Sequence, residues 1–312
     1  MSIEIINGGM LSTVQDAGRF KVMKNGFTQS GAMDSHSMNL ANKLVGNLPN
    51  CAVIEMTMLG ITARFTQKCI IALCGGDFEA KINGSPIRMC KAYRVAMGDE
   101  LAVGCAKKGL RAYLAVSGGI DVEPVMESRS TNLKSEIGGY NGRRLGAGDV
   151  LNIGSDCIDL SFMELDKRQV SPEKYESTVT LRAVLGPQDF MFTDEDKKIF
   201  FSAEYKVTPN ADRMGIRLDG PAMKGRDGMD IISDGIVFGS VQIPKSGVPI
   251  ILAADHQTTG GYAKIATVIS ADLPLLAQAR PGDTVKFKQV SVKAAERAAR
   301  KESKYFDNLL FY

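Results

Sequence analysis

The sequence predicts a mainly β protein of two β-rich halves with a few short helices, and three observations carry that prediction. Short apolar or β-branched runs bounded by Gly, Pro, Asp or Ser recur along the chain: KCIIALCG, LRAYLAVSGG, VTLRAVLG, DIISDGIVFGSVQIP, VPIILAAD and AKIATVIS. Glycine supplies 32 of 312 residues, as the many tight turns of a barrel or sandwich require. Gly-Asp precedes an alternating apolar segment three times, in MGDELAV (97–103), AGDVLNI (147–153) and PGDTVKF (281–287). That pattern reads as a turn leading into a half-buried strand.

The elements follow in chain order. An N-terminal β-rich half is expected over 1–165, interrupted by one clear helix at MDSHSMNLANKLVG (33–46). Asp34 is a good N-cap, Met33 and Met38 form a hydrophobic staple, and Gly46 fits the C′ position. ELDKRQVSPEKYES (164–177) is polar, charged and contains Pro172, which marks a linker. A C-terminal β half is expected over 178–290, with a short helix at 272–279 capped by Asp272 and stopped by Pro281. A helical tail occupies 291–312. Its alanine-rich stretch 292–306 carries a Glu296–Arg300 pair at i, i+4.

Bulk properties exclude several classes. The 38 basic and 35 acidic residues are spread along the chain and leave a net charge of +3, which gives no reason to expect nucleic acid or a membrane surface as a partner. No apolar run is long enough to span a bilayer, and MSIEIINGGMLSTVQD lacks the basic and apolar regions of a signal peptide. A cytoplasmic protein is expected. The six cysteines form no C-x-x-C pair and read as buried, reduced thiols. With His36 and His256 as the only histidines, no metal site is expected.

Standard catalytic motifs fail. The chain has no Walker-type phosphate loop, no G-x-G-x-x-G and no H-E-x-x-H, and AVSGG (115–119) reads as a strand ending in a turn. Five polar segments remain. TQSGAMDSH (28–36), which contains Ser30 and Asp34, runs into a helix N-terminus, where free N–H groups attract anions unless Asp34 caps them. ESRST (127–131) and GGYNGRR (138–144) set Arg129, Arg143 and Arg144 among glycines and hydroxyls, suited to a carboxylate or phosphate or to a solvated loop. NADRMGIRLDG (210–220) offers Asp212, Arg213 and Arg217 as candidate site residues, or an Asp–Arg ion pair that braces a turn. In DHQTTGGY (255–262), Gln257, Thr258 and Thr259 can pair with an amide, urea or lactam, while His256 is either an acid–base group or held by Asp255.

Ten segments then occur in one order: STVQDAGR, SGAMD, NKLVGN, SRST, GGYNGR, LGPQ, DRMGIRL, GSVQIP, DHQTTGGY and LPLLAQARPGD. From about residue 8 to 288 the chain resembles the family that holds the C subunit of prokaryotic 5-oxoprolinase, the second allophanate-hydrolase-type subunit and the carboxyltransferase region of biotin-dependent urea carboxylase. The resemblance implies a cyclophilin-like β-barrel architecture. It also implies a heteromeric complex with chains like the A and B subunits of 5-oxoprolinase, which couples ATP hydrolysis to opening the 5-oxo-L-proline lactam to L-glutamate. Gln257, Thr258 and Thr259 would hold the lactam amide, and Arg129 and Arg213 a carboxylate or phosphorylated species. Ser30 and Asp34 complete the expected binding set, and no residue is assigned a catalytic role.

The chain departs from the family pattern at Met126-Glu127, Ala211 and Ala263-Lys264, and Lys264 is expected to add a cation beside the pocket. Two alternatives stay open. One is a carboxyltransferase-type subunit acting on urea or a related amide, with biotin carried by another chain. The other is a non-catalytic regulatory binder, for which the apolar tail YFDNLLFY (305–312) would be a docking element unless it folds back.

Overall fold

The structure is a computed structural model and describes residues 2–155, 165–226 and 229–309. The described residues form two units, one within 2–20 and 30–175, the other within 176–309 together with Lys21–Gln29. The mainly β expectation with barrel architecture is borne out.

Among the described residues the N-terminal unit holds ten strands. These are β1 (Ser2–Asn7), β2 (Leu11–Gln15), β3 (Val53–Thr57), β4 (Thr62–Phe65) and β5 (Cys69–Ile82). They continue with β6 (Ser85–Ile87), β7 (Ala92–Val95), β8 (Glu100–Val116), β9 (Ile120–Asp121) and β10 (Val150–Ile153). The sheet runs β2-β3-β8-β4-β1-β10-β9, and the long β5 pairs with β6, β7 and β8. Helix α1 (Ser35–Leu44) packs on β5 and β8 through a face that includes Met38, Ala41 and Leu44, all buried. Its start is as predicted: the Asp34 carboxylate accepts from Ser37 N (2.9 Å), and Gly46 ends the helix at φ +79°.

The C-terminal unit is a closed seven-stranded barrel plus a two-stranded ribbon. Barrel strands are β11 (Thr178–Leu185), β12 (Glu204–Val207), β13 (Gly215–Asp219), β15 (Ser240–Gln242), β16 (Ile250–Leu252), β18 (Lys264–Val268) and β19 (Thr284–Gln289). They close in the order β11-β18-β15-β16-β13-β12-β19, with β19 and β11 pairing in parallel. Between them in sequence, β14 (Asp230–Gly235) and β17 (Thr259–Tyr262) form the ribbon. DIISDGIVFGSVQIP is therefore two strands in two sheets, because the chain turns after Gly235. DHQTTGGY likewise contains a ribbon strand and is not a simple loop.

The Gly-Asp echo is one turn used three times. Gly98, Gly148 and Gly282 have φ of +89°, +88° and +92°, a region open to glycine without strain. Each donates its N–H at 2.8 Å to the facing strand, at Phe65 O, Ile5 O and Val207 O. The following aspartate accepts the N–H three residues back: Ala96 to Asp99 (2.7 Å), Gly146 to Asp149 (2.8 Å) and Arg280 to Asp283 (2.8 Å).

Among the described residues three further α-helices lie in the C-terminal unit. α2 (Asp194–Ser202) was not predicted, although Thr193 and Asp196 form a reciprocal capping box. α3 (Leu273–Gln278) occurs where expected, but Asp272 does not cap it by its side chain. That carboxylate instead receives Arg182 N (2.7 Å) and the Arg182 guanidinium, tying the helix entry to β11. α4 (Val292–Asn308) carries the Glu296–Arg300 pair at 3.8 Å. Cys69, Cys74 and Cys90 are buried thiols, whereas Cys105 is exposed, contrary to expectation, on the outward side of β8. Cys157 and Leu310, Phe311 and Tyr312 of the apolar tail lie outside the described residues. Among the described residues no helix is long and apolar enough to cross a membrane.

Candidate functional site

Period-2 alternation in the barrel wall builds a cavity. Ile216, Ile251 and Val241 are cross-strand neighbours on β13, β16 and β15, and all three point into the barrel core, at most 2% exposed. The next residue on each strand faces the other way. Arg217, Ile250 and Gln242 therefore form one row across the outer face of the same strands. The β14–β17 ribbon stands against this row. A cavity of about 260 Å³ lies between them, bounded by Arg217, Gln242, Asp212, Gln257, Gly260 and Tyr262. The ribbon approaches closely because residue 260 lacks a side chain: a Cβ there would sit 2.5 Å from Gln242 Nε2 and 2.6 Å from Ile236 Cδ1.

Buried ion pairs fix the frame. Arg213 and Asp255 are each 6% exposed, and the guanidinium bonds both carboxylate oxygens, at 2.8 and 3.1 Å. Asp255 N also donates to Arg213 O (2.7 Å). Asp212 Oδ1 accepts from Met214 N and Gly215 N (2.8 and 3.0 Å), which shapes the entry into β13. Lys264, expected as a cation beside the pocket, is buried and lines no part of it. Its ammonium meets Asp234 Oδ2 (2.6 Å) and Gly235 O (2.7 Å), pinning the end of β14. The Lys264 hydrogen bond, with one from Gln188, holds the Asp234 carboxyl below the usual carboxylate range.

His256 is buried, with Nδ1 2.6 Å from Gln257 O. A carbonyl oxygen only accepts, so Nδ1 carries the hydrogen. Burial lowers the imidazole below its ordinary value, ahead of the opposing effects of Gln257 and Asp255. Asp255 is engaged by Arg213, so His256 and Asp255 do not form the side-chain pair considered from the sequence.

Of the residues singled out in the sequence, Gln257 lines the cavity. Thr258 contributes its carbonyl to the ribbon, accepting Ile236 N (3.2 Å), and Thr259 is an exposed residue of β17. Arg129, Ser30 and Asp34 belong to the N-terminal unit. There Asp16 organises the backbone: its carboxylate accepts Gly18 N (2.8 Å), Ser128 Oγ (2.7 Å), Ser130 Oγ (2.5 Å) and Arg129 N (2.6 Å). The Arg129 guanidinium reaches Val122 O (2.9 Å) and Asp121 (3.2 Å). Ser30 is buried at φ +56° and accepts Asn132 Nδ2 (3.1 Å). Asp34 caps α1, and Ser37 Oγ donates to its second oxygen (2.7 Å). Arg143 pairs with Asp149 through both terminal guanidinium nitrogens, which lowers the Asp149 carboxyl and braces one Gly-Asp turn.

Gln242 was missed, and its signal was present. GSVQIP reads as a strand, and alternation about the core residue Val241 turns Gln242 outward. Among the described residues no cluster of His, Cys, Asp and Glu could hold a metal ion.

Residues 25–289 match the carboxyltransferase domain, subdomains A and B. The chain belongs to this carboxyltransferase family. It is 37% identical over 310 residues to the 5-oxoprolinase C subunit of Haemophilus influenzae, a match covering 98% of this chain and 97% of that protein. Against the 5-oxoprolinase C subunit of Escherichia coli the identity is 36% over 307 residues, with the same coverage. The solved urea carboxylase of Kluyveromyces lactis superposes with a TM-score of 0.91 and 31% identity over 99% of this chain. This carboxyltransferase-family chain spans 29% of that longer one. Its relatives are thus a named subunit in one case and a segment of a larger protein in the other.

Proposed function

We propose that the chain is the C subunit of an ATP-dependent 5-oxoprolinase, which hydrolyses 5-oxo-L-proline to L-glutamate at a site completed by partners resembling the A and B subunits. The observation that carries this reading is end-to-end identity with the C subunit of two organisms, over 97% of their lengths, against less than a third of the urea carboxylase chain. The cavity geometry agrees with it. Gln257 and Gln242 present primary amides, each with donors and an acceptor, and a lactam needs both.

A lactam is resonance-stabilised, so opening it requires activation, for which phosphoryl transfer from ATP to the lactam oxygen is a chemically sufficient route. At the starts of α1, α2 and α4 one first-turn N–H is capped by a side chain, that of Asp34, Thr193 and Ser291 respectively. This reading gives nucleotide binding to a partner, and binding and orienting the lactam to this chain.

A second reading, a carboxyltransferase component acting on urea with biotin carried by another chain, is favoured by the urea carboxylase superposition. Co-purification of the chain with its partners separates the two. ATP hydrolysis and glutamate formation dependent on 5-oxoproline, absent from the chain alone and lost in Gln257→Ala without loss of folding, would support the oxoprolinase. A complex without that turnover that carboxylates urea from biotin would replace it.

A further inference from the structure

Arg217 differs from the other arginines that anchor the barrel. Arg182 binds Asp272 and Arg213 binds Asp255, but the Arg217 side chain lines the cavity and has no hydrogen bond or ion pair among the described residues. It lies on the outward side of β13 and is exposed there. Asp212, the one carboxylate among the lining residues, is engaged through Oδ1 by the turn N–H groups and forms no ion pair with Arg217. The pocket therefore presents a guanidinium that no carboxylate pairs with directly, on a wall that also carries the Asp212 carboxylate.

Its position gives the cation a ruler. Arg217 and Gln242 lie on either side of Ile250 in the same outward row, two strand spacings or roughly 10 Å apart at Cα. Guanidinium and amide both line the cavity above that row. A ligand held at both ends must carry an anion at one end and an amide at the other. A five-membered lactam bearing a carboxylate has that form, and urea does not.

We propose that Arg217 is the carboxylate subsite of this cavity, and that the pocket takes small amides or lactams carrying a carboxylate rather than neutral amides. This rests on the oxoprolinase reading for the identity of the lactam. The Arg217 guanidinium forms a charge-assisted, bidentate pair with the carboxylate, while Gln242 and Gln257 hold the amide. Arg217 acts in binding and specificity, not in the bond-breaking step.

The test is ligand-observed NMR on the full chain with 5-oxoproline, 2-pyrrolidone, urea and inorganic phosphate, comparing wild type, Arg217→Gln and Arg217→Lys. Wild type should bind 5-oxoproline in preference to the two neutral amides. Arg217→Gln should weaken that binding by about ten- to a hundred-fold, the loss of a charge-assisted pair, and leave 2-pyrrolidone unchanged. Arg217→Lys should recover part of it. No binding of 5-oxoproline by wild type, equal binding by Arg217→Gln, or displacement by phosphate at equal concentration would overturn the subsite. The same variants in the reconstituted complex separate the two claims. Turnover with a KM untouched by Arg217→Gln would sink the subsite and keep the oxoprolinase. Arg217-dependent binding of the carboxylate lactam without turnover would do the reverse.

Discussion

Arg213 and Asp255 hold each other in the barrel unit through two hydrogen bonds of 2.8 and 3.1 Å, with both side chains 6% exposed. The pair links the segment before β13 to the segment before β17, and those two segments carry Asp212 and Gln257 to the cavity. A buried charge that loses its partner keeps its desolvation cost and loses its compensation. Arg213→Ala should therefore lower stability by about 3–5 kcal/mol. Arg213→Met with Asp255→Leu, which removes both charges, should recover most of it. Chemical denaturation of the single and double variants checks this. Full stability in Arg213→Ala would show that the pair does not hold the segments.

Asp34 has a comparable structural task at α1. Its carboxylate accepts both the N–H and the hydroxyl of Ser37. Asp34→Ala should lower stability by about 1–2 kcal/mol, and Asp34→Asn, which keeps the accepting oxygen, by much less. Urea midpoints of the two variants distinguish them. Equal midpoints would indicate that the cap contributes little and would reopen an anion-binding role for this helix start.

Much of the architecture is legible in the sequence because its cause is local. The cap at Asp34, the stop at Gly46 and the three Gly-Asp turns depend on residues a few positions apart, and each appears as read. The ribbon was not legible. Nothing local tells β17 that its partner is β14, or that DIISDGIVFGSVQIP leaves one sheet and enters another. Arg213 and Asp255 are 42 positions apart, so their pairing is a tertiary fact, and short-range reading offered Asp212 and His256 as nearer partners. Gln242 was hidden differently. Its strand was read correctly, but which face of a closed barrel carries a cavity depends on where the ribbon stands.

His256 gives the stability a pH dependence of known sign. Burial lowers its folded value below the ordinary imidazole value of 6.5, so on acidification the unfolded chain takes up the proton first. The contribution of the neutral imidazole is complete above about pH 6.5 and declines as pH falls toward and through the folded value. The stability advantage of wild type over His256→Gln should shrink between about pH 8 and pH 5. Denaturation at a series of pH values measures it. An advantage that grew on acidification would mean that the folded protein favours the charged ring.

Cysteine reactivity should follow exposure. Cys105 is open to solvent, while Cys69, Cys74 and Cys90 are buried. A thiol reagent reaches only what solvent reaches, so native protein should label at Cys105 well before the three buried thiols. Peptide mapping by mass spectrometry after brief labelling reads the order. Early labelling of Cys74 would show that the sheet around β5 opens readily.

Gly260→Ala tests the cavity most directly. Gly260 has no left-handed backbone to defend, so the substitution acts through space alone. The new methyl would lie 2.5 Å from Gln242 Nε2 and 2.6 Å from Ile236 Cδ1, both of them ends of flexible side chains. Those ends can swing aside at modest cost, so stability should fall by no more than about 1–3 kcal/mol, the range for overpacking. Gln242, however, cannot move without leaving the row it shares with Arg217. Binding of 5-oxoproline by the chain, and the KM of the assembled complex, should therefore worsen by about ten-fold, the effect of misplacing one hydrogen bond of a bound ligand. Calorimetric melting alongside the binding titration separates the two effects. A folded Gly260→Ala protein that binds and turns over the lactam like wild type would place the substrate somewhere other than between the ribbon and the barrel wall.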